Sequence, residues 1–466
     1  MNTDAQKPSL APNDPTETLF PLPPATPSQI APRLPGRPRM QRPQRQQMLL
    51  RSVTLEALVP EDHPVRLVWA YVERLDLTAL EATIRAVEGR AGRDPIDLRI
   101  LMALWLYATL EGVGSARALD RLCEHHQIYQ WICGGVSVNY HTLADFRVGH
   151  GQYLDQLLTG SVAGLMHQGL VTLARVAQDG MRVRAGAGAD SFRRGATLEE
   201  CRREAAAQVQ ALRREVQDDP AATSRRQQAA RQRAARERVE RVERALAELP
   251  AVEAAKKPEE KAKARVSTTD AEIRVMKMAD GGFRPAVNVQ LATDTGTQII
   301  TGLDVSNNGS DGGQMVPMLE QHQDRYQRLP GETLVDGGFA TKDDIDRTGD
   351  PEFKTVVYAP IRKPRKEGQD PHAIRYGDTP TIIAWRQRMA TPEAQAIYKD
   401  RASTAECVNA IARNRGMRQF NVRGQHKIRA VVLWYVLAHN LIRVATLRSL
   451  AILRAARIDE SHKNKE

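Results

Sequence analysis

The chain has 466 residues and a mass of 51.9 kDa, about three domains' worth at ~150 residues each. Hydrophobic residues make up 41% and charged residues 26%, enough apolar material for a sizeable core, which excludes wholesale disorder. Against 56 Asp and Glu stand 67 Lys and Arg, a net +11 that suits a polyanionic partner, nucleic acid or an acidic membrane surface, and is silent about fold. The four cysteines (Cys123, Cys133, Cys201, Cys407) are scattered, with no pair at metal-finger spacing. A disulfide framework and a structural zinc site are therefore not expected, and a reducing compartment is the default.

No apolar segment follows a charged start, so no signal peptide is expected. The longest apolar stretch, about 431–442, is interrupted by His439 and Asn440 and falls short of the ~20 residues a membrane span needs. The chain reads as soluble and cytoplasmic, with no membrane partner.

Residues 1–47 hold a large share of the 26 prolines and read as a disordered arm, because proline removes backbone donors and resists regular structure. The end of this arm carries Arg33, Arg37, Arg39, Arg42 and Arg45 with no nearby acid. It is either a solvated tail or an arm that tracks phosphates. Residues 48–169 repeat apolar stripes at helical spacing, among them Leu98, Leu101, Met102 and Trp105, then Ala118, Leu119 and Leu122. They predict an all-helical domain that binds DNA or simply packs a core.

A strand is expected at 171–177, ending on Asp179-Gly180, an Asp-Gly pair that equally suits a hairpin turn. The segment 198–265 is rich in Ala, Arg, Glu and Gln and poor in large apolar residues. It predicts a helix or helical hairpin, broken near Pro220 and Pro250 and projecting as an insertion. Strand signals return at 285–292 and 298–305, separated by Asp294-Thr-Gly296 as in a hairpin. Helix at 315–326, strand at 332–335, helix at 341–346 and strand at 355–359 follow. A basic loop is expected at 362–379, helix at 391–415, and one or two helices from 427 to 457. This order gives an α/β (α+β) chain in which helices flank a mixed sheet over 170–446, with a tail at 447–466.

Three acids sit where a sheet can deliver them to one site: Asp179 at the end of the first strand, Asp336 before Gly337-Gly338, and Glu406 on a late helix. Such a trio suits two-metal phosphoryl transfer, because hard Mg²⁺ ions prefer oxygen ligands and one bridging carboxylate with two flankers holds a pair. Each position also has a plain reading, as a turn, a strand exit or a solvated helix face. Glu406 and Arg413 lie two helical turns apart on one face, where Arg413 can hold a phosphate beside the carboxylate. Asp270, Asp294 and Asp311 compete for the site; Asp270 is equally a helix cap.

The late segment runs Tyr398-Lys-Asp-Arg401, then Glu406, Arg413 and Phe420-Asn-Val-Arg423-Gly424. With Asp179-Gly180-Met181-Arg182 and Asp336-Gly337-Gly338-Phe339, it resembles the DDE-type transposases of bacterial insertion sequences, in particular the larger ones with a helical N-terminal domain. Asp62-His63-Pro-Val-Arg66, Gly114-Ser115-Ala-Arg117 and His141-Thr-Leu-Ala-Asp145-Phe-Arg147 are similar to landmarks of that helical domain. Arg413 replaces the family's Lys, and Cys407-Val-Asn409 stands where the family often has Pro-Val-Phe.

The resemblance implies an RNase H-like catalytic core with Asp179, Asp336 and Glu406 holding a pair of Mg²⁺ or Mn²⁺ ions. It implies that Tyr398, Arg401, Arg413 and Arg423 contact DNA, with Arg401 and Arg413 as phosphate clamps. The expected activity is cutting and joining of double-stranded DNA, at the element's terminal repeats and in the target. A homodimer on paired ends, associated with the nucleoid, is the expected assembly. The alternatives are a DNA-binding regulator with a catalytically dead RNase H-like domain and, last, an oligomeric scaffold built on 198–265.

Overall fold

The computed structural model describes residues 52–87, 94–218, 224–362 and 368–463, with side chains to 451. The Pro/Arg-rich arm expected over 1–47 lies outside the described residues, as does Pro220.

The described residues from Val53 onward form one compact unit. Its first part is helical: α1 (Pro64–Glu73), α2 (Thr78–Glu81), α3 (Leu98–Leu110), α4 (Ala116–His125), α5 (Gln127–Cys133), α6 (Tyr140–Gly149) and α7 (Gly151–His167). Local chemistry sets the helix starts. His63 Nδ1 accepts from Val65 N at 3.2 Å with Pro64 opening α1, and Ser115 and Asn139 cap α4 and α6. Two landmark arginines stabilise this framework. Arg66 donates to the carbonyls of Val59, Pro60 and Glu56. Arg147, 8% exposed, donates to Gly114 O at 2.6 Å and stacks 4.6 Å over the Trp105 ring.

The stripe predicted for α3 understates its burial, because every residue from Ile100 to Thr109 is buried. The reason is α15 (Gln425–Lys463), which packs against α3, α6 and α7. Trp434 Nε1 donates to Arg147 O at 2.9 Å, and Tyr435 Oη donates to Arg415 O at 2.7 Å. The N-terminal helices and one face of the sheet therefore share a single apolar core. The boundary expected at 169/170 marks a change of secondary structure within that core.

α15 also corrects the reading of the apolar stretch. Over 425–451 it is long and apolar enough to cross a membrane by length and composition, but most of that window is buried inside the protein. It is the core helix, and it continues to Lys463, within the segment expected to be a separate tail.

The sheet is built from β1 (Arg175–Arg184), β4 (Arg274–Lys277), β5 (Phe283–Asp294), β6 (Ile300–Ser306), β7 (Glu332–Leu334) and β8 (Val356–Tyr358). Its order is β6-β5-β1-β7-β8, with β4 sharing the outer edge of β5 with β6. β5 runs antiparallel to β1, β4 and β6, whereas β7 and β8 run parallel to β1. The predicted hairpin at 285–305 is β5–β6. α10 (Met315–Tyr326) and α11 (Lys342–Arg347) connect the parallel strands. With α12 (Pro380–Met389) and α13 (Pro392–Tyr398), they pack a second core around Leu334, Phe339 and Trp385.

Three expectations change. Asp179 does not end a strand; it sits in the middle of β1, which pairs with β5 without a break from Val176 to Arg184. A short pair of strands, β2 (Phe192–Arg193) and β3 (Val266–Ser267), frames a helical hairpin of α8 (Gly195–Asp218) and α9 (Arg225–Ala254). α9 passes through Pro250 without a break. Proline there forfeits one backbone bond near the helix end, while buried Val252 beyond it packs with Leu198 and Val266. Finally, α12 follows the basic loop where no helix was expected.

Two histidines on the elements flanking β6 are buried and neutral. His322 Nδ1 donates to Met318 O at 2.7 Å, and His439 Nε2 donates to Gln298 O at 2.9 Å. Burial holds each pKa down to about 4, below the free value of 6.5. Stability from this source is complete above pH 6.5 and is lost as pH falls from 6.5 toward 4, on the order of 3 kcal/mol per histidine. The urea midpoint should drop between pH 7 and pH 5, and less so in His322→Gln. A midpoint unchanged over that range contradicts this account.

Candidate active site

The parallel register of β7 on β1 brings two of the predicted acids together. Ala177 pairs with Leu334 at the end of β7, and just beyond it Asp336 lies within electrostatic reach of Asp179. Past Val335, whose N donates to Tyr358 O at 3.1 Å, the chain turns. Gly338 N donates to Asp336 Oδ1 at 2.5 Å and Phe339 N to Asp336 O. A Cβ on Gly338 would stand 2.7 Å from the Asp336 carboxylate, so glycine is what lets that turn close on it.

Asp179 stays extended in β1 because its neighbours are tied down. Gln178 Nε2 donates to Gln290 Oε1 and to Gln314 O. Above Gly180 sits Asp311, whose Oδ1 accepts from Asn288 and Gln290 at 2.6 and 2.9 Å. A Cβ at 180 would collide with that carboxylate. Gly180 therefore makes room for a side chain, where its dipeptide suggested a turn.

The third acid arrives through an irregular helix. Thr391 caps α13, a π-helical turn spans Ala402–Glu406, and α14 (Cys407–Asn414) follows. In an α-helix, residues five apart point ~140° away from each other. The wider i→i+5 winding returns Arg401 and Glu406 to one side. The turn is held from below: Arg175 of β1 binds both Glu332 and Asp400, at 2.6 and 2.5 Å, and Gln298 Nε2 donates to Ser403 O.

At the centre lies Arg401, 8% exposed. Its Nη1 donates to Glu406 Oε1 at 2.6 Å and its Nη2 to Asp179 Oδ1 at 2.8 Å, while its buried Nε has no partner. Asn409, 3% exposed, donates through Nδ2 to Asp179 Oδ2 at 2.8 Å and leaves its Oδ1 unpaired. Both Asp179 oxygens are thus capped. Burial lifts the Asp179 carboxyl above the usual carboxylate range; Arg401 and Asn409 pull it down, and Asp336 pushes it further up. Glu406 remains half exposed. Burial also raises the Tyr398 phenol, which lies within electrostatic reach of Arg401, Asp336 and Glu406.

The structure therefore brings Asp179, Asp336, Glu406, Arg401 and Tyr398 together. Arg401, expected as a phosphate clamp, is buried between two carboxylates and binds both. Arg413 and Arg423 are exposed. The competing acids have structural uses. Asp270 accepts from Gly424 N at 2.7 Å and so anchors the loop carrying Arg423. Asp294 closes the β5–β6 turn on Thr297, and Asp311 holds the polar network over β5. Asn409 was missed; its place three residues after Glu406, on the same helical face, was the available signal.

All three carboxylates supply the oxygen donors that hard divalent ions prefer. Among the described residues no three acids, histidines or cysteines gather as a ready metal cluster, because the Arg401 guanidinium stands between Asp179 and Glu406. Metal fits this donor set once Arg401 releases Asp179.

Two family models match the chain. One, described as a transposase domain (DUF772), matches residues 53–148, the span of α1 to α6; the other, a transposase DDE domain, matches residues 378–445, from α12 through the π turn into α15. No curated protein and no solved structure matches it. The two matched segments flank Asp179 and Asp336, the second includes the turn that delivers Arg401 and Glu406, and together these matches support a DDE-type insertion-sequence transposase.

Proposed function

We propose that the protein cuts and joins DNA at the ends of its element, on an RNase H-like sheet whose catalytic acids are Asp179, Asp336 and Glu406. The observation that carries this reading is the clustering of Asp179 with Asp336, just beyond the end of the neighbouring parallel strand, with Glu406 tied to the same cluster through Arg401. A meander of three antiparallel strands extended by two parallel ones supports the RNase H-like assignment. Asp179, Asp336 and Glu406 would hold a pair of Mg²⁺ or Mn²⁺ ions, which supply polarisation of the attacking oxygen and charge stabilisation at the leaving one.

In the first step a water oxygen bonds to phosphorus at the element end while the 3′-oxygen leaves and takes up a proton. In the second, the freed 3′-hydroxyl loses its proton, bonds to a target phosphorus and displaces the target's own 3′-oxygen. Exposed Arg413 and Arg423 position the strand through its phosphates, Arg413 on the same helix as Glu406. Asn409 orients Asp179 through Oδ2. Two ends call for two such sites, hence a homodimer on paired ends.

A second reading, a DNA-binding regulator without chemistry, is favoured by one observation: the Arg401 bridge that satisfies Asp179 and Glu406 without metal. Incubating the protein with duplex carrying its own flanking sequence separates the two. Mg²⁺-dependent strand breaks at the element end, leaving 3′-hydroxyls, support the enzyme; tight binding with no breaks in Mg²⁺ or Mn²⁺ supports the regulator.

A further inference from the structure

The α8–α9 hairpin has two unlike faces. Its inner face is short of apolar bulk and is held by Val209, Leu212, Ala235 and Val242, with ion pairs from Arg238 to Glu204 and Arg231 to Glu215. Its base is fixed to the body by the small core around Leu198, Val252 and Val266. On α9, Arg225, Arg226, Arg233 and Arg236 are all exposed and fall within a sector of ~100° at 3.6 residues per turn, which faces outward except at its edge, where Arg236 borders the groove against α8. None of the four has an ion-pair partner among the described residues, and from 220 to 236 the sequence contains no acid.

Nearer the body the same face changes character, with Glu237, Glu240 and Glu243 beside Arg244. That mixed half is an ordinary solvated surface, and the purely basic distal half is set apart from it. No apolar stripe runs along the outer sector, so a coiled-coil partner has no seam to pack against. The 30 residues of α9 make a rod of ~45 Å, and its four arginines span ~17 Å, comparable to five nucleotides along one strand.

We propose that the distal outer face of α9 is a second DNA contact, a sequence-independent grip on the phosphate backbone of duplex away from the catalytic acids. This rests on the reading of the protein as a DNA-processing enzyme. The partner is recognised by evenly spaced negative charge, met by four exposed guanidiniums on a rigid helix.

The test is duplex binding by fluorescence anisotropy, using the full chain, a 40-bp random-sequence probe and a series of salt concentrations. The variant R225A/R226A/R233A/R236A keeps a good helix former at every position, and circular dichroism checks that helicity is retained. Its plot of log affinity against log salt should be shallower by about 3 to 4, with binding at 0.1 M salt weakened at least ~10-fold. The matching four-lysine variant should bind within about threefold of wild type, because phosphate tracking needs charge more than fork geometry. Wild-type slope and affinity in the alanine variant overturn the hairpin contact and leave the enzymatic reading standing. Failure of the wild-type protein itself to bind duplex overturns both. A change in oligomeric mass with DNA binding intact also overturns the proposal, by assigning the face to another copy of the chain.

Discussion

Asp336→Asn should abolish strand cleavage, by ~10³-fold or more, while leaving affinity for element-end duplex within about twofold. The size follows from the position. Asp336 follows directly on the end of β7 and lies within electrostatic reach of Asp179 and Tyr398, so its charge acts on the cluster. The change to Asn is nearly isosteric and keeps the oxygen that accepts from Gly338 N, so the turn and the fold are preserved. What disappears is one negative charge from a site whose chemistry needs hard anionic oxygens. DNA affinity should survive because the phosphate contacts proposed for exposed Arg413 and Arg423 are not touched by the substitution. Cleavage retained within tenfold of wild type removes Asp336 from the catalytic set.

Arg401→Ala should destabilise the metal-free protein by roughly 3 kcal/mol, the low end for breaking a buried pair, because the Glu406 side of the bridge is half exposed. Removing the guanidinium leaves the Asp179 carboxylate, 16% exposed, with Asn409 and the adjacent backbone as its remaining donors. Arg401→Lys keeps the charge but loses the fork that reaches two acids at once, so an intermediate loss is expected. Mn²⁺ should stabilise the alanine variant more than wild type, since no cation needs displacing from between Asp179 and Glu406. Urea unfolding in EDTA and in Mn²⁺ measures both effects. Equal stability of variant and wild type in EDTA contradicts the bridge.

Much of this organisation is legible in the residues. The runs at 298–305, 332–335 and 355–359 are short and rich in β-branched residues, and they become β6, β7 and β8 nearly as predicted. Helix 315–326 is found at those bounds as α10. What escaped the sequence depends on tertiary context. Asp179-Gly180 carries turn chemistry, and only pairing with β5 and the seat of Asp311 over Gly180 keep it extended. Pro250 is a breaker by type, yet packing on both sides carries α9 through it. The start of α12 had a readable signal in Thr379-Pro380, a cap followed by proline at the first helical position.

Asp179, Asp336 and Glu406 were readable as one candidate set; the seat of Arg401 between two of them was not. In the sequence, a guanidinium twelve residues before Arg413 reads as one more candidate phosphate clamp. Its true partners follow from a π turn, which one extra residue per winding creates and no periodicity displays. Asn409 was hidden for the same reason: its amide is ordinary on a helix face until Asp179 is placed opposite it.

The most direct measurement of the central claim is calorimetric titration of Mn²⁺ into wild type and into Asp179→Asn, Asp336→Asn and Glu406→Gln. Saturable binding in wild type, weakened at least ~10-fold in each variant, is the result expected of three carboxylates serving one ion-binding centre. Isotherms that all three substitutions leave unchanged contradict it.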